Sequence, residues 1–210
     1  MRTGEQARGR LVAFEGLDGA GKSTQLARLA RVLRARGREV VETREPGDGP
    51  AGRRLRELAR AGRRLAPDLE LDLFLEDRRE HVARVIAPAL AAGRWVLTDR
   101  YTLSTVAYQG ARGLDWREIL ARCEAEFPRP DLALLLEVDP ARGLERARGR
   151  GAGLEAFERR GTLERVAAIY RALELPWVER IDANASPDAV HAAVLERVAK
   201  RLEPERSSSG

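Results

Sequence analysis

Apolar residues along the chain fall into two kinds of pattern. Short continuous runs, such as Leu11-Val12-Ala13-Phe14, Trp95-Val96-Leu97 and Leu132-Ala133-Leu134-Leu135-Leu136, suit strands buried on both faces. They predict strands over 10–15, 39–43, 95–99, 132–139 and 177–182. Between them the apolar positions recur at helical spacing, predicting helices near 23–36, 52–61, 69–92, 115–126, 142–148, 163–173 and 187–201.

Such alternation predicts an α/β fold: a doubly wound, five-stranded parallel sheet with helices on both faces. No internal repeat or interdomain linker interrupts it, and 210 residues fit one domain. The ends, 1–9 and 204–210, read as frayed tails. Two stretches fit the regular scheme poorly. One is the loop Gly47-Asp48-Gly49-Pro50; the other, 146–160, is dense in arginine and glycine and poor in apolar residues. Both begin beyond the carboxyl end of a strand, where ligands sit in open α/β sheets, and both are expected to act as covers. A short lid over about 142–160 is the stronger of the two expectations.

Composition narrows the partners. The chain carries 38 lysines and arginines against 33 acids, a net charge of +5, but the arginines are interleaved with glutamates, as in Arg53-Arg54-Leu55-Arg56-Glu57. They read as solvated helix faces, and the few aromatics form no stacking platform, so a nucleic-acid partner is not expected. A single cysteine, Cys123, excludes an internal disulfide and fits a reducing cytoplasm. No stretch is long and apolar enough to span a membrane, and the first ten residues lack the apolar segment of a secretion signal. Helical faces of this kind often dimerise, and a homodimer is the expectation.

The first predicted strand leads into Gly16-Leu17-Asp18-Gly19-Ala20-Gly21-Lys22-Ser23, a full match to the phosphate-cradling pattern G-x-x-x-x-G-K-[ST]. A strand, a glycine-rich turn and a helix bring main-chain N–H groups and a helix N-terminus to one point, which is how a triphosphate is held. Lys22 supplies a compact cation for the β- and γ-phosphates, and Ser23 a hydroxyl for Mg²⁺. Lysine occurs elsewhere in the chain only at Lys200. Asp99 closes an apolar strand, where a carboxylate can hold Mg²⁺ through water. Arg100 follows it, placed to fork onto a phosphate or, alternatively, to pair with Asp99. No guanine-reading Asn-Lys-x-Asp is present, which argues against a GTPase.

The longer motifs resemble those of bacterial thymidylate kinases. Phe14-Glu15-Gly16-Leu17-Asp18-Gly19-Ala20-Gly21-Lys22-Ser23-Thr24-Gln25 looks like the opening of that family, and Thr43-Arg44-Glu45-Pro46-Gly47 is similar to its second motif. Leu73-Phe74-Leu75-Glu76-Asp77-Arg78 with His81 resembles its base-binding helix, and Asp99-Arg100-Tyr101-Thr102-Leu103-Ser104-Thr105-Val106-Ala107-Tyr108-Gln109-Gly110 its most diagnostic string. Pro130-Asp131-Leu132, Val138-Asp139-Pro140 and Gly143-Leu144-Glu145-Arg146 follow in the family's order.

This resemblance implies transfer of the γ-phosphoryl group of ATP to dTMP, giving dTDP and ADP for dTTP synthesis, with Mg²⁺. It implies that residues Gly16 to Thr24 cradle ATP, with Arg146 on the adenine or the phosphates. Lys22, Arg100 and Asp18 would be catalytic. Arg44, Glu45, Phe74, Arg78, Arg100, Ser104, Tyr108 and Gln109 would bind dTMP, with Phe74 stacked on thymine and Arg78 at its O4. On the residues alone Phe74 reads better as a core ring, although its spacing from Arg78 puts both on one helix face; the resemblance reverses that preference. Asp18 is costly among phosphates unless it serves another ligand, and the resemblance implies the acceptor's 3′-hydroxyl or, through metal, its phosphate.

Some family members carry a loop arginine where this chain has Gly19. The cation near the transferred group must then come from the lid, and Arg146, Arg148, Arg150, Arg159 and Arg160 are the donors available, Arg148 and Arg150 foremost. Two departures stand out. The family's Gly-Thr after Arg-Glu-Pro-Gly is Asp48-Gly49 here, adding a negative charge beside an anionic substrate, and the sequence beyond Gly151 matches only loosely.

Overall fold

The computed structural model describes residues 8–148 and 156–202, without the side chains of 147–148 and 156–160. Residues 1–7 and 204–210 of the expected tails, the middle of the lid with Arg150, and the side chains of Arg148, Arg159 and Arg160 lie outside the described residues. Gly9, expected in a frayed end, is instead buried, and its N–H donates to the Leu90 carbonyl at 3.1 Å.

Five strands form one all-parallel sheet: β1 (Arg10–Gly16), β2 (Val40–Arg44), β3 (Trp95–Asp99), β4 (Leu132–Glu137) and β5 (Val178–Asp182). Their order across the sheet is β2-β3-β1-β4-β5. Residues Leu11 to Phe14 and Leu132 to Leu136 are essentially inaccessible, as continuous apolar runs between two helical layers must be. The chain turns to one side of β1 for β2 and β3 and to the other for β4 and β5, so the crevice beyond the carboxyl end of β1 is where ligands of such sheets bind.

The helices are α1 (Lys22–Ala35), α2 (Pro50–Arg60), α3 (Pro67–His81), α4 (Ala87–Ala91), α5 (Thr102–Gly110), α6 (Trp116–Glu126), α7 (Pro140–Arg148), α8 (Ala156–Ala172) and α9 (Pro187–Leu202). A π-helical turn, Val82–Ile86, joins α3 to α4, so the helix expected over 69–92 is present but not uniform. Pro88 has no N–H to donate, and its ring would press on the carbonyl four residues back; the widened turn lies just before it. Helix α8 starts well before the expected 163, so much of the supposed lid is helical. The expected strand and helix pattern omitted α5, whose residues, polar ones included, are nearly all buried. Its N-terminus is instead held by a buried carboxylate from β1: Glu15 accepts hydrogen bonds from the backbone N–H groups of Tyr101 and Leu103, each at 3.0 Å. No helix among the described residues is long and apolar enough to cross a membrane.

Candidate active site

The glycine loop sits between β1 and α1. Gly21 caps α1 in a left-handed conformation, φ 91° and ψ 15°, which spares the helix a side-chain cap and leaves its first N–H groups aimed at the loop. Gly19 is held for a different reason: a β-carbon there would run into the carbonyl of Gly143 on α7, and one on Gly143 would come within 2.7 Å of the Asp18 carbonyl. Loop and helix therefore touch backbone to backbone, and no arginine fits at position 19 without separating them.

Lys22 is buried and donates to the carbonyls of Gly16 at 3.1 Å and Leu17 at 2.9 Å. Burial, together with the nearby Arg100 charge, lowers its pKa to about 8 despite the carboxylates around it. Its hydrogen-bond partners are neutral carbonyls, a setting that suits an anion bound in the loop. Ser23 and Thr24 are exposed on the first turn of α1, and the Ser23 hydroxyl donates to Asp99 Oδ2. A hydroxyl and a carboxylate meeting at the phosphate loop form a two-oxygen donor set. It fits Mg²⁺, a hard cation that completes its shell with phosphate oxygens and water. Among the described residues no group of three or more His, Cys, Asp or Glu could serve as an all-protein metal cage.

Asp99 ends β3 in register with Phe14 on β1 and Arg44 on β2, so three sequence-predicted segments meet there. Arg100, the next residue, has φ 73° and is the one described non-glycine residue with positive φ. An arginine held in the left-handed region is strained, and such strain concentrates at functional sites. Its backbone N–H donates to the Phe14 carbonyl at 2.9 Å. Its side chain donates to Asp18 at 2.6 Å and Ser104 at 3.0 Å, while its guanidinium carbon lies 4.9 Å from the centre of the Tyr108 ring. Ser104 in turn donates to Glu15 at 2.5 Å and shares a 3.2 Å hydrogen bond with Tyr170 of α8. Asp18, Arg100, Ser104 and Tyr108, four of the expected site residues, thus lie together, and Arg100 pairs with Asp18 rather than Asp99. The sequence reading missed Glu15, which burial pushes up in pKa against the Ser104 hydrogen bond and the charges of Arg100 and Arg78.

A second cluster lies along α3. Arg78 is 1% exposed, and Glu45 accepts from its Nε at 3.0 Å and its Nη2 at 2.6 Å. Thr105 accepts from Nη2 at 2.7 Å, Nη1 faces the Cys123 sulfur at 3.6 Å, and the guanidinium lies over the rings of Tyr101 and Phe127. Burial alone would raise the Glu45 carboxyl, but Arg78 and the His81 hydrogen bond hold it below the usual range. His81 bridges Glu45, at 3.1 Å, and the Thr43 hydroxyl, at 2.7 Å. Asp77 accepts the Gly47 N–H at 3.0 Å, and burial raises its pKa to about 6. Phe74 is half-buried, one turn before Arg78 and outside the hydrophobic core, as a ring available for stacking must be.

The remaining predicted residues are placed as follows. Arg44 is exposed at the end of β2, 3.6 Å from Asp48. Glu45 turns both oxygens onto Arg78 and His81, so it orients the cluster from behind. Gln109 is buried against Glu70 of α3, at 2.8 Å, and ties the two helices together. Arg146 donates to the Ala183 carbonyl at 3.0 Å, beside the loop that follows β5. Thr105, not singled out beforehand, joins Arg78 to α5 immediately beside Ser104, the partner of Arg100. On the other flank of the loop, a cleft of about 310 Å³ is lined by Gly16, Leu17, Val138, Tyr170 and Asn184 among others; Phe74, Arg78 and Arg100 do not line it.

Comparison with known proteins places this geometry in context. The family described as Thymidylate kinase matches residues 14–194. A thymidylate kinase of Xanthomonas campestris pv. campestris (strain B100) is 50% identical over 198 residues, covering 92% of this chain and 86% of that protein. One from Desulfotalea psychrophila (strain LSv54 / DSM 12343) is 45% identical over 195 residues, covering 92% and 96%. One from Xanthomonas oryzae pv. oryzae (strain PXO99A) is 48% identical over 198 residues, covering 92% and 86%. With an intact phosphate loop and the Asp99-Arg100 corner in place, the chain belongs to the thymidylate kinase family.

Proposed function

We propose that the chain transfers the γ-phosphoryl group of ATP to dTMP, giving dTDP and ADP, with the two nucleotides tip to tip beyond the carboxyl ends of β1 and β3. The observation that carries this reading is Arg100, strained at φ 73° and forked between Asp18, Ser104 and Tyr108 beside the Ser23–Asp99 pair. A cation held at that corner faces both the loop and the acceptor.

The acceptor phosphate is close to a dianion at neutral pH, its second pKa being about 6, so it is already a nucleophile and needs no general base. One of its oxygens attacks the γ-phosphorus while the bond to the β-bridging oxygen breaks, and the electron pair leaves with ADP. Catalysis then consists of alignment and of positive charge around the group in flight. The loop N–H groups of Gly16 to Thr24 and the α1 N-terminus hold the β- and γ-phosphates. Lys22 gives them the hydrogens that otherwise go to the Gly16 and Leu17 carbonyls. Ser23 and Asp99 would hold Mg²⁺, which when bound neutralises charge on the β- and γ-oxygens. Arg100, with Arg44, takes the acceptor phosphate, and Asp18 takes its 3′-hydroxyl. Phe74 stacks on the pyrimidine, and Arg78 offers O4 the second Nη1 hydrogen beyond the one facing Cys123. Ser104 and Tyr108 line the sugar; Gln109 and Glu45 support from behind.

The lid over 142–160, with Arg148 and Arg150, supplies the cation that Gly19 cannot, and its closure limits hydrolysis of ATP by water. Arg146 lies on the adenine side. We read the chain as one kinase domain, homodimeric and cytoplasmic.

An acceptor panel on purified protein, read by coupled ADP release, tests the activity. dTMP is expected to be the preferred acceptor; faster turnover of dAMP, dGMP or dCMP, or ATP binding with no turnover of any acceptor, overturns the reading.

A further inference from the structure

Residue 48 puts a carboxylate where the acceptor side gathers cations. Asp48 Oδ1 lies 3.1 Å from Arg56 Nη2 and 3.6 Å from Arg44 Nη2, and the Asp48 carbonyl accepts from Arg53 Nη1 at 2.6 Å. Three guanidinium groups, one from the end of β2 and two from α2, thus converge on a single residue whose side chain is 82% exposed. The loop does not need these ion pairs to stay in place. Arg56 also holds the carbonyls of Pro46, at 2.9 Å, and Gly47, while Asp77 takes the Gly47 N–H from the opposite side at 3.0 Å. Arg44 itself stands in register with Asp99, at the corner where the two substrates meet.

We infer that Asp48 is a built-in competitor for the acceptor phosphate, occupying Arg44 until a phosphate group displaces it. The inference rests on the reading of Arg44 as an acceptor-side cation. A phosphate carries up to twice the charge of a carboxylate and three acceptor oxygens, so it wins the exchange. Winning it breaks the Arg44–Asp48 contact and brings a second anion beside Asp48. Both effects weaken binding of a charged acceptor and leave an uncharged nucleoside untouched. Because the pair is exposed, the effect is modest: a factor of roughly 2–5 in affinity.

The test is Asp48→Asn, which keeps the shape and removes the charge. The Kd for dTMP is expected to fall about 2- to 5-fold at low ionic strength, with the gap closing in high salt as the charges are screened. The Kd for thymidine, which lacks the phosphate, stays unchanged, and Arg44→Ala in the same background abolishes the gain. An unchanged or raised Kd for dTMP overturns the inference. So does a parallel shift for thymidine, which would mark a loop-ordering role, or a gain that survives Arg44→Ala. Absence of dTMP turnover by the wild-type protein would overturn the proposed activity as well, whereas these outcomes in a protein that does turn over dTMP reject only the role of Asp48.

Discussion

The two clusters flanking α5 are built on opposite principles. Around Arg78 the charges are buried and largely matched: Glu45 and Thr105 hold its guanidinium, and His81 holds Glu45, before any ligand arrives. Around the phosphate loop the cations rest on stand-ins. Lys22 leans on carbonyls of its own loop, and Arg100 on the exposed carboxylate of Asp18. A site that reads the outline of a base gains from rigidity, because nothing has to be ordered on binding. A site that receives phosphates brings in the countercharge with the ligand, so its contacts must be exchangeable. On the proposed reading, the same residue type, arginine, is a fixed strut in one cluster and a movable clamp in the other.

That contrast can be broken in graded ways. Arg100→Ala is expected to lower kcat by about 1000-fold or more, the scale on which arginines act in phosphoryl transfer. Its denaturation midpoint should move little, and a near-normal rate in coupled ADP release would remove Arg100 from the chemistry. Glu45→Gln should act the other way round. Leaving Arg78 as an unmatched buried charge is expected to cost about 3–5 kcal/mol of stability in urea unfolding; a loss near zero would show that the cluster is not the strut described. Phe74→Ala should weaken dTMP binding by about 1–3 kcal/mol, the value of one base–aromatic stack, with ATP binding unaltered in a direct titration. The smallest effect concerns Lys22, whose pKa is lowered to about 8 in the free protein. Phosphates favour the charged lysine, so ATP binding above that value should take up a fraction of a proton, while binding well below it should take up none. Calorimetry in two buffers of different ionisation heat measures this, and equal proton uptake across the range would contradict the exchange of carbonyls for phosphates.

Much of this arrangement is legible in the chain itself, because continuous apolar runs and a full glycine-loop pattern each have one physical interpretation. Strand positions hold to within two residues, and the loop, Asp99 and Arg100 converge as their spacing implies. Helix α5 was not legible as an element. Its residues Thr102, Thr105 and Val106 are β-branched, polar and apolar side chains are buried alike, and no apolar stripe marks it. What shapes its start is Glu15, 86 residues upstream of Tyr101, and no local window contains that partner. The one available signal was a carboxylate closing an apolar run in front of the glycine loop. Arg78 shows the same limit. Spacing alone put it on the face of Phe74, but nothing local shows that Glu45, 33 residues away, would draw its guanidinium into the interior.

The contact between Gly19 and Gly143 carries one more consequence. Cradle and cover share a footing of bare main chain, with no room for so much as a methyl group between them. Any step that shifts the loop is transmitted at once to the base of α7, and any side chain grafted at either point must prise the two apart. An arginine at position 19 is therefore incompatible with this backbone as it stands.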